Sequence, residues 1–249
     1  MSQDPLDGWL AESFRLSFLG VPGWNQRAIF KDIAGTDPTS TSIQQMSQLH
    51  QEAADIGDVH LNVVQQQNRV DILLGDKPSQ NTVNPLMPGY KPFFSMGPFR
   101  ESLETFDGLT EKALGLFSNA MRVAYAIILI RPTSTPQESI RALHKLLPKV
   151  PIDPNNDSEL VFQINRPVRD SNGLLINRIA KWEALQVTAV RLNAFGGLIP
   201  TLPTPPASAA QIQIDVNTDA ANIVPLNNLS EIVRELRQNA VNLAGAGEA

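Results

Sequence analysis

Cysteine is absent from all 249 residues, which removes disulfides, thiolate metal sites and a cysteine nucleophile from what the chain can use. A basic block is absent too. Twenty lysines and arginines stand against 25 acidic residues, spread along the chain for a formal charge of −5. Without a cationic tract there is little counterion release to drive binding to a phosphate backbone, so no nucleic acid partner is expected. No apolar run approaches the ~20 residues of a membrane-spanning helix, and the start Met1-Ser2-Gln3-Asp4-Pro5 has neither the basic nor the apolar region of a secretion signal. The chain is therefore expected in the cytoplasm, away from membranes. Metal-ligand spacings and glycine-rich phosphate loops are missing as well, and no cofactor is expected.

What is present is periodicity. With 42% hydrophobic residues the chain has enough apolar surface for a core, and much of it alternates. Phe14, Leu16 and Phe18 face one way from a first strand while Ser13, Arg15 and Ser17 face the other. Val59-Leu61-Val63 and Val70-Ile72-Leu74 alternate on either side of a polar run and predict a hairpin. Residues 123–130 are apolar on both faces, as in a mid-sheet strand. Residues 160–168, the turn Asp170-Ser171-Asn172-Gly173 and the segment from Leu174 give a second hairpin, and Gln211 to Val216 alternates once more.

Helical spacing falls between these strands. Ser42 is placed to cap a helix ending near Gly57, with Ile43, Met46, Leu49 and Ala53 as its stripe. A second helix runs from Pro98 toward Asn119, and a third opens on the capping box Thr135-Pro136-Gln137-Glu138. The last has Asn228 as cap and Leu229, Ile232, Val233, Leu236, Ala240 and Leu243 as its stripe, with Gly245 ending it. Residues 75–98 and 198–207 are proline-rich and predict loops, the first either wrapping the surface through Tyr90, Phe93 and Phe94 or contributing to a binding surface; residues 182–192 fit either a strand or a helix.

The fold class that follows is α+β, mainly antiparallel sheet with amphipathic helices on one face. A break at the proline-rich residues 148–157 divides the chain into 1–150, read β-α-β-β-α-β plus a short helix, and 151–249, read β-β-β-α. The outline leaves open two similar halves, without a residue-level repeat between them, or a single domain formed by both.

Chemistry is sparse. His50 and His144 fall on expected helices beside leucines and read as partly exposed helix residues. Asp215, Asn217 and Asp219 alternate like calcium ligands but lack the glycine and glutamate of such a loop, and read as strand-end and turn residues. Asp55 and Asp58 flank a glycine at an expected helix end. The one constellation that alternation puts together is His60, Asn62, Arg69 and Asp71, on the wet face of the first hairpin. A solvated sheet face explains it, and so does a binding or acid-base site.

The element order resembles a sporadically distributed bacterial family of uncharacterised proteins of similar length. Residues 12–19 resemble its opening strand, 99–130 its helix-then-strand unit, and Ile212-Gln213-Ile214-Asp215-Val216-Asn217-Thr218 through Leu243 its closing strand, turn and helix. The resemblance implies a scaffold and carries no catalytic motif. The leading expectation is a non-enzymatic protein acting through protein-protein association or self-association, by a sheet edge, a wet sheet face or the proline-rich loops. Two alternatives stand beside it. One is a hydrolase or nuclease-like enzyme centred on His60, Asp71 and Arg69; the other is a small-ligand sensor with an apolar cavity between sheet and helices.

Overall fold

The computed structural model describes residues 4–21, 28–77, 92–170, 173–187, 190–192, 198–200, 207–222 and 224–247. Its strands are β1 (Leu10–Leu19), β2 (Ser40–Gln44), β3 (Leu49–Ile56), β4 (Val59–Gln66), β5 (Arg69–Asp76), β6 (Arg122–Thr133), β7 (Val161–Asn165), β8 (Val168–Arg169), β9 (Leu175–Val187), β10 (Val190–Leu192), β11 (Leu198–Pro200) and β12 (Ala207–Thr218). The helices are α1 (Phe30–Ala34), α2 (Phe99–Leu114), α3 (Pro136–Leu146) and α4 (Leu229–Ala246). Ten strands make one antiparallel sheet in the order β2-β3-β4-β5-β1-β6-β12-β9-β7, with β8 beside β9. The fold is α+β. Strands from both sides of residue 150 share this sheet, because β6 pairs with β12 over ten residue positions.

One face is dry. Phe14, Leu16 and Phe18 of β1, Ile72 and Leu74 of β5, Tyr125 and Ile127 of β6, Ile212 and Ile214 of β12 and Trp182 of β9 are all 2% exposed or less. They form one cluster with Phe30 and Ile33 of α1, Phe99 and Phe106 of α2, Leu143 and Leu146 of α3, and Leu236 and Ala240 of α4. Phe14 stacks on Phe106 at 5.1 Å and Phe99 at 6.2 Å, and Phe106 meets Tyr125 edge-on at 5.6 Å. Each such ring contact adds about 0.5–1.5 kcal/mol beyond the area it buries, which fixes where α2 lies on the sheet. The apolar stripes of α2 and α4 are thus spent on the sheet. Helix α3 has the expected cap: Glu138 N–H donates to Thr135 Oγ1 at 3.2 Å, and Glu138 Oε2 accepts from Ser134 N–H at 2.9 Å.

Several expectations are corrected. Residues 42–57 are not a helix but β2, a turn and β3, with Gln48 at φ 47° in the turn. The first half of the supposed stripe has no core to face: Ile43 is 49% exposed and Met46 fully so. Of the core-facing positions of β3, Ala54 and Ile56 are apolar, and the other two are held by polar side chains, each with a tertiary partner. His50, which is buried on a strand and not half-exposed on a helix, pairs with Gln65 at 3.2 Å, and buried Glu52 accepts from Phe30 N–H at 3.2 Å. Asp55 likewise sits on β3 rather than at a helix end.

The segment 182–192 is strand through Val187, and 190–192 is strand too. Residues 198–200 are not loop; they pair with 190–192 as a two-stranded ribbon. Helix α4 passes through Gly245 to Ala246, and Asn228 caps it by position only, at φ 57° with no side-chain bond to the helix. Asp215 and Asn217 lie within β12. Tyr90, Ser171 and Asn172 fall outside the described residues. Phe94 is exposed, whereas Met96 and Gly97 bond to Ala11 of β1, tying the end of the long connection to the sheet.

Candidate functional site

The face opposite the helices is built in cross-strand rows. Arg15 of β1 stands opposite Leu73 of β5 and Ala126 of β6; Ala126 in turn stands opposite Asp215 of β12, and Asp215 opposite Ile179 of β9. A neighbouring row runs Ser13, Ile128, Gln213, Lys181 and Gln163, and the row on the other side runs Asp71, Ser17, Ala124, Asn217 and Asn177. Alternation makes these rows: β1, β5, β7, β9 and β12 send their odd residues here, β6 sends its even ones, and the alternate residues of each face the other way.

The middle rows line a concavity of about 380 Å³. Leu73, Ala126, Ile128 and Ile179 supply its apolar part; Ser13, Arg15, Gln163, Lys181, Gln213 and Asp215 supply the polar groups. Side chains from β5 and from β7 both reach it, although five strand spacings separate them. Flat, those strands would lie about 24 Å apart at ~4.8 Å per spacing. The sheet therefore curls around this face. Sheet twist and a bulge in β1, where the register shifts between Ala11 and Ser13, supply the bend.

The polar groups are largely paired with each other. Arg15 Nη2 donates to Asp215 Oδ2 at 2.9 Å, passing over the small Ala126, and Asn217 donates to Asp215 Oδ1 at 2.7 Å. Lys181 contacts Glu183. At the bulge, Gln211 donates to Glu12 at 2.7 Å; burial pushes the Glu12 carboxyl above its ordinary range, and the Gln211 amide opposes that rise. The Arg15 Nε is buried without a hydrogen-bond partner.

The four residues singled out from the sequence share this face but divide into two groups. Asp71, 8% exposed, accepts from Ser17 Oγ at 2.5 Å and from Arg69 Nε at 2.9 Å. His60 instead pairs with Asp55 at 2.8 Å. His60 stands opposite Gly75, four residues along β5 from Asp71, or about 13 Å at 3.3 Å per residue. Asn62 lies between, opposite Leu73, its Oδ1 buried without a partner. No single acid-base constellation joins His60 to Asp71, and the concavity touches neither of them.

Of the groove residues, Arg15 and Ala126 were not singled out from the sequence, and Asp215 was read there only as a strand-end or turn residue. Their common face follows from alternation, but their adjacency needs the order β1-β6-β12. Among the described residues, no group of three or more His, Asp or Glu is placed to hold a metal ion, and no helix is long and apolar enough to cross a membrane. Compared with models of protein families, with curated proteins and with solved structures, the chain matches none.

Proposed function

We propose that the protein acts by non-enzymatic association in the cytoplasm, and that the concave sheet face is where a protein partner docks. The observation that carries this reading is the face itself: half-buried apolar residues, Ala126, Ile128 and Ile179, framed by charged side chains already paired with each other. Paired charges orient a partner and cost less to cover than unpaired ones, whereas catalysis calls for a base aimed at a nucleophile or substrate. The hydroxyl of Ser17 is spent on a carboxylate, and His60 is spent on Asp55. The side of the sheet where a ligand cavity was expected is filled by Phe14, Phe106, Tyr125 and Trp182, which argues against the sensor reading.

The test places a large cation on the groove floor. Ala126→Arg is expected to abolish retention of the partner that the unaltered protein captures from its own cells, while Lys112→Glu on exposed α2 leaves it unchanged. Asp71→Ala is expected to leave any turnover untouched. Equal retention by Ala126→Arg, or a turnover lost in folded Asp71→Ala, overturns the proposal.

A further inference from the structure

The sheet ends at β7, with β8 continuing the same edge, and β7 itself is unguarded, Arg166 and Pro167 standing only after it. Natural edge strands are blunted by lysine, proline or an inward charge, yet Val161-Phe162-Gln163-Ile164-Asn165 contains none of these. Val161, Gln163 and Asn165 are exposed, Val161 at 61%.

The direction of the backbone groups follows from the pairing with β9. Ala184 N–H donates to Leu160 C=O, and Arg166 N–H donates to Arg178 C=O. Even-numbered residues thus turn their N–H and C=O toward β9, and in an antiparallel ladder the alternate residues turn theirs away. Residues 161, 163 and 165 therefore present three donors and three acceptors outward, with no described strand beyond them.

We propose that a second copy of this chain pairs with this edge, β7 against β7, antiparallel and centred on Gln163. This rests on the association reading and names one partner for it. The register that overlaps all five residues sets Gln163 against Gln163, Val161 against Asn165 and Phe162 against Ile164. It makes six backbone hydrogen bonds, as an isologous two-fold contact requires.

The flanks select the same arrangement. Asp157 and Glu159 precede β7, and Arg166 and Arg169 follow it. In this register Glu159 of one copy comes beside Arg166 of the other, and the two-fold axis repeats the match at the far end, so both ends join opposite charges. The other edge, β2, is preceded by Asp37 but followed only by neutral Gln45 and Gln48, and offers no such match. A two-fold axis normal to the sheet keeps both concave faces on one side. Gln163, which lines the groove, then joins the two grooves.

Analytical ultracentrifugation of the full chain tests this from about 1 to 200 µM, because a contact smaller than a standard interface dissociates in the micromolar range. The expected result is a rise from the 27.2 kDa monomer to twice that mass. Gln163→Pro removes an outward N–H that the fold does not use, and Val161→Lys installs an edge charge. Both are expected to weaken the dimer at least tenfold with unchanged circular dichroism, and Val161→Lys decides the matter where the proline variant does not fold. A chain that stays monomeric throughout, or a folded variant that dimerises as well as the parent, overturns the inference. Neither result bears on partner capture by the groove, so the two proposals fail separately.

Discussion

Arg15 and Asp215, 200 residues apart in the chain, meet at 2.9 Å directly above Ala126, which stands opposite both of them in the sheet. A methyl side chain is what lets charges on β1 and β12 touch across the strand between them. Because each side chain is about a third exposed, solvent screens the pair, and its coupling is about 0.2–1 kcal/mol.

A double-mutant cycle of Arg15→Ala and Asp215→Ala is expected to return a coupling in that range by urea denaturation, shrinking as salt is added. Repeated on an Ala126→Leu background, the cycle is expected to return nothing, since the larger side chain stands where the ion pair crosses. A coupling that survives Ala126→Leu would mean that the charges meet by another route.

The contrast between β3 and its neighbours explains what could be read from the sequence. Strands β1, β4, β5, β6 and β12 place Phe14, Leu61, Ile72, Ile127 and Ile214 toward the core, so their period is visible in the residues themselves. Strand β3 places His50 and Glu52 there, stabilised by Gln65 and by the backbone of Phe30. Those partners lie 15 and 22 residues away in the chain, and nothing local announces them; a chance helical stripe outweighed the true period.

The candidate site divides in the same way. That His60, Asn62, Arg69 and Asp71 share a face was legible because β4 and β5 form a local hairpin. That Asp71 belongs to Ser17 was not, since Ser17 comes from a strand 54 residues away, and the local pair of His60 with Asp55 was hidden by the helix expected over residues 42–57.

Glu12 gives the face a dependence on pH. Burial raises its carboxyl pKa above the ordinary 4.5, and the Gln211 amide only partly offsets this. The folded chain therefore holds this proton where the unfolded chain has released it. The stability linked to the neutral carboxyl is complete below pH 4.5 and is lost as pH climbs through the folded value. Glu12→Gln keeps an acceptor for Gln211 and removes the titration. Melting temperatures of the two proteins are expected to coincide near pH 4 and to separate above it, the glutamine variant melting higher at pH 7. A gap that is constant with pH would assign the effect to packing instead.

Tyr125 poses a sharper question about the dry side. Its side chain is fully buried, and its hydroxyl has no hydrogen-bond partner. Burial drives the phenol far above its usual range, the Asp107 carboxylate adds to that rise, and Arg237 opposes it. These two charges satisfy each other: Arg237 Nε donates to Asp107 Oδ1 at 2.8 Å and Nη2 donates to Oδ2 at 2.6 Å, clamping α4 to α2. A buried donor left unpaired costs about 1–3 kcal/mol, while deleting it strands no other group. Tyr125→Phe keeps the ring against Phe106 and removes only that cost, less a small void. It is therefore expected to raise stability by about 1 kcal/mol, or about 2–4 °C in Tm for a chain of this size. Arg237→Ala is expected to move the other way, because it leaves Asp107 facing Tyr125 alone. A Tyr125→Phe protein less stable than the parent would show that the hydroxyl donates to Asp107 in solution, and that α2 and α4 are held by three side chains rather than two.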